Sequence, residues 1–215
     1  MKNKLPTLDI IVPIFNEIEC IDILFERLLA LRVEVSSKLD ASLLFVDDGS
    51  IDGSGEALLE IAKKYGFVKV VTLSRNFGHQ IAVTAGLDYV DADYVAIIDA
   101  DLQDPPELLS GMFDELVKGF DVVYGQRETR EGETFFKKMT ASGFYRVLSY
   151  MCDVDIPKDT GDFRIMTKRV ASELKGMRER HRFIRGMVPW LGFKSYAYKY
   201  NRHHLPLDDP AHIQH

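Results

Sequence analysis

Two aspartates two residues apart, Asp99 and Asp101, close an apolar run, and the amide of Gln103 follows two residues later. Hard oxygen donors at this spacing suit Mg2+ or Mn2+. Two carboxylates on a buried rim repel each other unless a cation intervenes. Such a site leaves its other positions to water and phosphate oxygens, so a nucleotide diphosphate would complete the shell. The competing reading is that these acids only cap the next helix. A second acidic group, Val46-Asp47-Asp48-Gly49-Ser50 with Asp52 beyond it, is in isolation a turn signal. After a second strand, the same carboxylates can accept from a base N–H or a ribose hydroxyl. The glycine fingerprint of dinucleotide folds is missing, since the segment after the first strand reads Val12-Pro13-Ile14-Phe15-Asn16-Glu17, and there is no Walker loop. Both absences argue against a dehydrogenase or a P-loop phosphotransferase.

These residues need a scaffold that gathers strand ends. Short apolar runs at 8–15, 42–46, 68–74, 94–99 and 121–125 alternate with helical periodicity over 18–31, 53–65, 79–90 and 106–118. That rhythm predicts an α/β fold with a mostly parallel, Rossmann-like sheet flanked by helices. Asp52 is a candidate N-cap, and the Pro105-Pro106 pair suits the first turn of the fourth helix. Ligands of doubly wound sheets sit beyond the carboxyl ends of the strands. Asn16 and Glu17, Asp47 and Asp48, Arg75 and Asn76, Asp99 and Asp101, and Arg127 all follow strands, so they fall on one rim. Beyond Arg127 the alternation loosens into helical stretches at 134–151, 168–177 and 183–191 and a short apolar segment at 163–166.

The chain has 215 residues, 46% hydrophobic and 28% charged, a globular composition of about one domain's length. Disorder, collagen and a disulfide scaffold are excluded. Its two cysteines, Cys20 and Cys152, have no partner at metal-ligand spacing, which predicts a reduced, cytosolic setting. A membrane span needs about 18 unbroken apolar residues, and no stretch approaches that, so the chain is expected to be soluble or peripheral. The net charge of −6 hides a division: 10 basic against 21 acidic residues up to Phe120, and 17 against 12 beyond it. The second half is therefore the one expected to meet an anion.

Five motifs in order, VPIFNE (12–17), VDDGS (46–50), LSRNFGHQ (73–80), DADLQDPPE (99–107) and TGDFRIM (160–166), resemble the family-2 inverting glycosyltransferases of the GT-A fold. More narrowly they resemble the polyprenyl-phosphate sugar synthases, the group of dolichyl-phosphate mannose synthase and bactoprenol glucosyltransferase. The resemblance implies a metal-dependent transfer of a hexose from a nucleotide sugar, a UDP-hexose by expectation, to a polyprenyl phosphate. It assigns Pro13, Phe15, Glu17, Val46 and Asp48 to the nucleoside, with Asp48 facing the base. Asp99, Ala100 and Asp101 would line the ribose and diphosphate, Asp101 and Gln103 would bind Mg2+ or Mn2+, and Arg127 would contact a phosphate. Asp162 and Arg164 fall in the catalytic and acceptor motif, and Lys137, Arg164 and Arg185 are candidates for the acceptor phosphate, with Lys138 and Arg182 nearby.

Chemistry qualifies the role of catalytic acidic residue that the resemblance implies for Asp162. A sugar hydroxyl needs a general base, whereas a phosphate monoester, with a second pKa of about 6, is already mostly dianionic. Asp162 is then expected chiefly to orient the acceptor or its arginines. The aromatic and basic stretch 135–150 reads equally as an interfacial helix or an amphipathic core helix. Implied partners are a nucleotide sugar, a lipid phosphate and the membrane surface at its cytoplasmic face. Nucleic acid is not among them, and a homo-oligomer is left open. Residues 1–200 are expected to form one catalytic domain, with a donor half to about 127 and an acceptor half from about 128. Relatives of this type continue into two membrane spans, while this chain departs at His203-His204-Leu205-Pro206, so 201–215 is expected to be a flexible tail. Two alternatives remain: a glycan or cell-wall hydroxyl as acceptor, which would need Asp162 as a true base, and a catalytically silent nucleotide-sugar-binding protein.

Overall fold

The structure, a computed structural model, describes residues 4–127, 160–177, 179 and 182–201. Seven strands, β1 (Thr7–Ile14), β2 (Asp40–Asp47), β3 (Val68–Thr72), β4 (Tyr94–Ile97), β5 (Val122–Arg127), β6 (Thr160–Thr167) and β7 (Ser195–Tyr200), form one sheet in the order β3-β2-β1-β4-β6-β5-β7. Pairing is parallel except where β6 runs against β4 and β5. Among the described residues six helices accompany them: α1 (Ile18–Val35), α2 (Ser54–Lys64), α3 (His79–Tyr89), α4 (Leu108–Leu116), α5 (Lys168–Gly176) and α6 (Ile184–Trp190). The four expected crossover helices and five expected strands are all present.

The inner strands read as continuous apolar runs because both faces are covered. Alternate residues separate into two cores. Ile10, Val12, Leu43, Phe45, Ala96, Ile98, Val123 and Phe163 pack beneath α1, α2 and α4. Ile11, Leu44, Val46, Val95, Ile97, Val122 and Met166 pack beneath α3, α5 and α6. Helix α3 comes down close to the sheet at Gly86, where an added methyl would lie 2.5 Å from Ile11 Cγ2.

Two helix starts differ from expectation. Asp52 does not cap α2 in the simple sense: its Oδ1 accepts from the N–H and hydroxyl of Ser54, and its Oδ2 accepts from the Ile18 N–H. One carboxylate thus fastens the starts of α1 and α2 together. The Pro105-Pro106 pair lies in the turn before α4, which begins at Leu108 after N–H bonds from Leu108 to Pro105 and from Leu109 to Pro106.

The turn after β2 depends on Gly49, whose φ is +71° and whose missing side chain admits the backbone of Arg75, 2.5 Å from where a Cβ would stand. Gly49→Ala combines a left-handed conformation with a backbone clash. It is expected to cost about 2 kcal/mol or more, visible as a lower urea midpoint with an unchanged slope.

Candidate active site

The orientation of β6 creates the site. Its last recorded pair with β4 toward the rim is Ile97 with Arg164. Extending that antiparallel register by two residues sets Asp162, near the start of β6, beside Asp99, just beyond the end of β4. A carboxylate distant in sequence thereby joins the rim formed by the parallel strands.

A cavity of about 280 Å³ opens there, lined by Pro13, Ile14, Phe15, Glu17, Asp48, His79, Ala82, Asp99, Ala100, Asp101 and Arg185. Seven donor-side residues expected from sequence, Pro13, Phe15, Glu17, Asp48, Asp99, Ala100 and Asp101, are on its walls together with the acceptor candidate Arg185. The loop from β1 is held by Asn16, which has φ +54°. Asn16 donates its N–H to Ser50 Oγ and accepts from the Ile51 N–H, and the Glu17 N–H bonds Ser54 Oγ. Asparagine tolerates this left-handed conformation better than most residues. That geometry turns Phe15 and Glu17 toward the cavity mouth.

Asp48 has a second task besides lining the cavity. Its two oxygens accept the N–H groups of Phe77 and Gly78, each at 2.8 Å, which fixes the entry to α3. Asp48→Asn removes one of these charge-assisted acceptors, a loss of about 1.5–3 kcal/mol. We expect a weaker affinity for the nucleotide, measured by calorimetry, because the cavity wall and the start of α3 loosen together.

His79 and Gln80, the first residues of α3, are the part of the site that sequence reasoning missed. Asp162 is fully buried and accepts from His79 Nε2 at 2.9 Å, Gln80 Nε2 at 3.1 Å, Arg185 Nη2 at 3.1 Å and Arg164 Nη2 at 3.3 Å. Because a carboxylate only accepts, His79 carries its proton on Nε2. Burial alone would raise the pKa of Asp162. The His79 hydrogen bond and the charges of Arg164 and Arg185 outweigh burial and hold it well below the usual carboxylate range. The hydrogen bond to Asp162, opposed by burial, raises His79. Gln80 also accepts the Ile184 N–H at 2.9 Å, which docks the start of α6 and brings Arg185 in.

Asp99 stands on the other side of His79 with different electrostatics. Burial, opposed by His79 but reinforced by Asp162, Asp101 and Asp104, pushes its carboxyl up to about 6. Its Oδ1 is buried without a hydrogen-bond partner, and His79 Nε2 lies 3.5 Å away. Glu17 is raised as well, by burial and by the charges of Asp101 and Asp52. An orphaned oxygen among mutually repelling carboxylates is what a divalent cation would satisfy, so the donor set fits one. Ligand atoms of His79, Asp99 and Asp162 also come within 4.8 Å of one another. Asp162, already engaged by two guanidinium groups, is the poorest member of that set.

Other expected residues lie elsewhere. Val46 is fully buried against α3, its side chain part of the core and off the cavity wall. Gln103 is exposed on the loop after β4, where its N–H bonds Asp101 Oδ1 at 3.0 Å. Arg127 directs Nε and Nη2 to the two oxygens of Asp104, each at 2.9 Å. Arg164 is buried behind the cavity, where it donates to the Gly161 and Asp162 carbonyls as well as to the Asp162 carboxylate. Arg182 donates to the Leu174 carbonyl at the end of α5. Lys137, Lys138 and the 135–150 stretch lie outside the described residues.

The sequence profile of Glycosyl transferase family 2 matches residues 9–175, which hold β1 from Asp9 onward, β2 to β6, the cavity residues up to Asp101, and Asp162. The chain belongs to glycosyltransferase family 2. It is 50% identical over 193 residues to the uncharacterized glycosyltransferase YkcC of Bacillus subtilis, covering 90% of this chain and 59% of that protein. A prophage bactoprenol glucosyl transferase homolog of Escherichia coli is 32% identical over 195 residues, 91% of this chain and 63% of the relative. The family-2 chain thus spans about three fifths of the length of these relatives. Among solved structures, a mannosyltransferase of Pyrobaculum calidifontis in complex with GDP-Man and Mn2+ superposes with a TM-score of 0.65 at 18% identity, over 92% of this chain and 56% of its own. Glucosyl-3-phosphoglycerate synthase of Mycobacterium tuberculosis, with Mn2+, UDP and glucosyl-3-phosphoglycerate, gives 0.59 at 18% identity, over 96% and 75%. The fold is GT-A.

Proposed function

We propose that this family-2 chain transfers a hexose, with inversion, from a nucleotide sugar to a polyprenyl phosphate at the cytoplasmic face of a membrane. UDP-hexose is the donor we assign, and residues 1–200 form the catalytic domain. The bactoprenol glucosyl transferases among its relatives support this reading, and so do the Mn2+ and nucleotides held by proteins of the same fold. Among the described residues no helix is long and apolar enough to cross a membrane, so attachment at that face rests on other parts of the protein or on surface contact.

The observation that carries the choice of acceptor is the saturation of Asp162. All its bonding capacity faces His79, Gln80, Arg164 and Arg185, and its proton affinity is low. A carboxylate so held is a poor general base for a sugar hydroxyl. A phosphate acceptor needs no base, because it is already a dianion nucleophile near neutral pH.

In this reading Pro13, Phe15, Glu17 and Asp48 hold the nucleoside, and Asp101 and Gln103 hold Mg2+ or Mn2+ beside Asp99. The cation, when bound, neutralises the diphosphate and stabilises the departing nucleoside diphosphate. Asp162 holds His79 and Arg185 in place, and Arg185, with Lys137 from the second half, binds the acceptor phosphate. Attack by a phosphate oxygen on the anomeric carbon then forms the new bond as the bond to the nucleotide breaks. Positioning and charge stabilisation supply the acceleration.

The test incubates the purified protein with a panel of nucleotide sugars, Mn2+ and undecaprenyl phosphate, and looks for a lipid-linked sugar. Transfer to a soluble glycan without transfer to lipid would overturn the reading. Nucleotide binding with no product from any acceptor would favour a silent binding protein.

A further inference from the structure

Asp104, three residues beyond Asp101, is buried at 2% exposure and is not among the residues lining the cavity. It accepts the fork of Arg127, Nε on Oδ1 and Nη2 on Oδ2, and the Tyr200 hydroxyl also donates to Oδ1. Arg127 ends β5 and Tyr200 ends β7, which pair directly with each other. Tyr200 in turn meets Phe163 in a T-shaped ring contact, at 6.2 Å between centroids. There is no slack around the carboxylate: a Cβ on Gly161 would lie 3.2 Å from Asp104 Oδ2 and 3.8 Å from Arg127 Nη2. The hydrogen bond to Asp104 raises the pKa of Arg127. Burial, with Asp104 behind it, raises that of Tyr200.

The loop that Asp104 closes needs such an anchor. Leu102 has φ +56°, a conformation a branched apolar residue adopts only when its surroundings impose it, and it is 1% exposed in the core. That inverted residue sets Asp101 on the cavity wall and leaves Gln103 exposed beside it, with the Gln103 N–H on Asp101 Oδ1. Upstream the loop is tied to β4. Downstream of Gln103 the first side chain bound to the sheet is Asp104.

We propose that Asp104 is a positioning residue for the cation: by clasping Arg127 and Tyr200 it locks Leu102 in its left-handed turn and holds Asp101 and Gln103 ready to bind. Arg127 then acts on the donor through the loop. This inference rests on the assignment of the cation to Asp101 and Gln103.

Mn2+ binding in the presence of UDP, followed by the electron paramagnetic resonance of free Mn2+, tests it. Asp104→Asn and Arg127→Lys break the fork and are expected to weaken Mn2+ by about 10–100-fold, the usual cost of removing a partner behind a ligand. Tyr200→Phe, which keeps the fork, is expected to weaken it less. Transfer should show the same split, with a raised Mn2+ requirement and a kcat that recovers to within about threefold at saturating Mn2+. Amide exchange at 101–103 should quicken in the metal-free variants. Glu107→Gln is the control: it loosens another fork, Arg27 to Glu107 at 2.6 and 2.8 Å, at the far end of the same loop and should leave Mn2+ affinity within about twofold. Were Asp104→Asn to fail to fold, Tyr200→Phe and Arg127→Lys would carry the test. A wild type that binds no Mn2+ with UDP would overturn the cation assignment itself. A wild type that binds, with unchanged affinity in the folded variants, would overturn the role of Asp104 alone.

Discussion

Asp162→Ala is expected to abolish transfer and to destabilise the fold by about 3–5 kcal/mol, the cost of leaving one member of a buried ion pair uncompensated. Arg164, at 4% exposure, would lose its carboxylate while remaining enclosed by β6 and its neighbours. The variant therefore confounds folding with chemistry. Asp162→Asn separates them, since the amide oxygen can still accept from one or two donors while its NH2 faces a guanidinium. We expect a folded protein whose kcat falls by at least about 10²-fold, the size of effect that misplacement by an ångström produces. Nucleotide binding should persist, because the donor wall is built from β1, β2 and the loop after β4.

The pH dependence of stability gives a second readout of the same group. A carboxyl held below its ordinary pKa contributes stability that is present above that ordinary value and is lost as pH falls through the depressed one. The wild type should therefore lose stability relative to Asp162→Asn only in strongly acidic solution. The role in catalysis is read from the acceptor. If Asp162→Asn abolished turnover with intact acceptor binding and geometry, even where the acceptor phosphate is fully dianionic, Asp162 would be a base after all. With an organising role, residual turnover persists and Arg185→Ala lowers kcat/KM as well, chiefly by raising KM for the acceptor.

What could be read from the chain depended on the range of the forces involved. The parallel sheet was legible because apolar runs and helical periodicity are local patterns, and the strand-end rule then placed Glu17, Asp48, Asp99 and Asp101 on one rim. Val46 carried a readable signal as well. It alternates with Phe45 and so shares the α3 face with Leu44, which removes its side chain from the cavity. Asp162 beside Asp99 had no local signal. It follows from β6 being inserted antiparallel between β4 and β5, so that it pairs with β4 from over sixty residues away. His79 and Gln80 were missed for the same reason: their importance lies in the carboxylate they meet across the sheet. Arg127 is the instructive case, because its position on the rim was right while its two guanidinium bonds to Asp104 could not be seen in the spacing of the residues.

Asp99→Asn is expected to make the metal-free protein more stable near neutral pH while removing most of its activity. Burial pushes the Asp99 carboxyl from 3.8 up to about 6, so between those values the folded chain holds a proton that the unfolded chain has released. Stability must then fall as pH rises through this window. By pH 7.5 the gap amounts to on the order of 3 kcal/mol against folding. Asparagine mimics the protonated carboxyl. The advantage of the variant should be near zero at pH 4 and grow to on the order of 2–3 kcal/mol at pH 7.5, read from urea midpoints of both proteins without metal. A cation relieves the same repulsion in the wild type, so Mn2+ with UDP should raise its melting temperature more at pH 7.5 than at pH 5. That increment should shrink in Asp99→Asn. A variant that loses stability equally at every pH would show that the Asp99 charge is already neutralised by His79, and the argument for a cation beside it would fail. If the variant gains stability and loses transfer together, the four carboxylates of the cavity are a strained arrangement kept for its ligand, the usual cost of a working site.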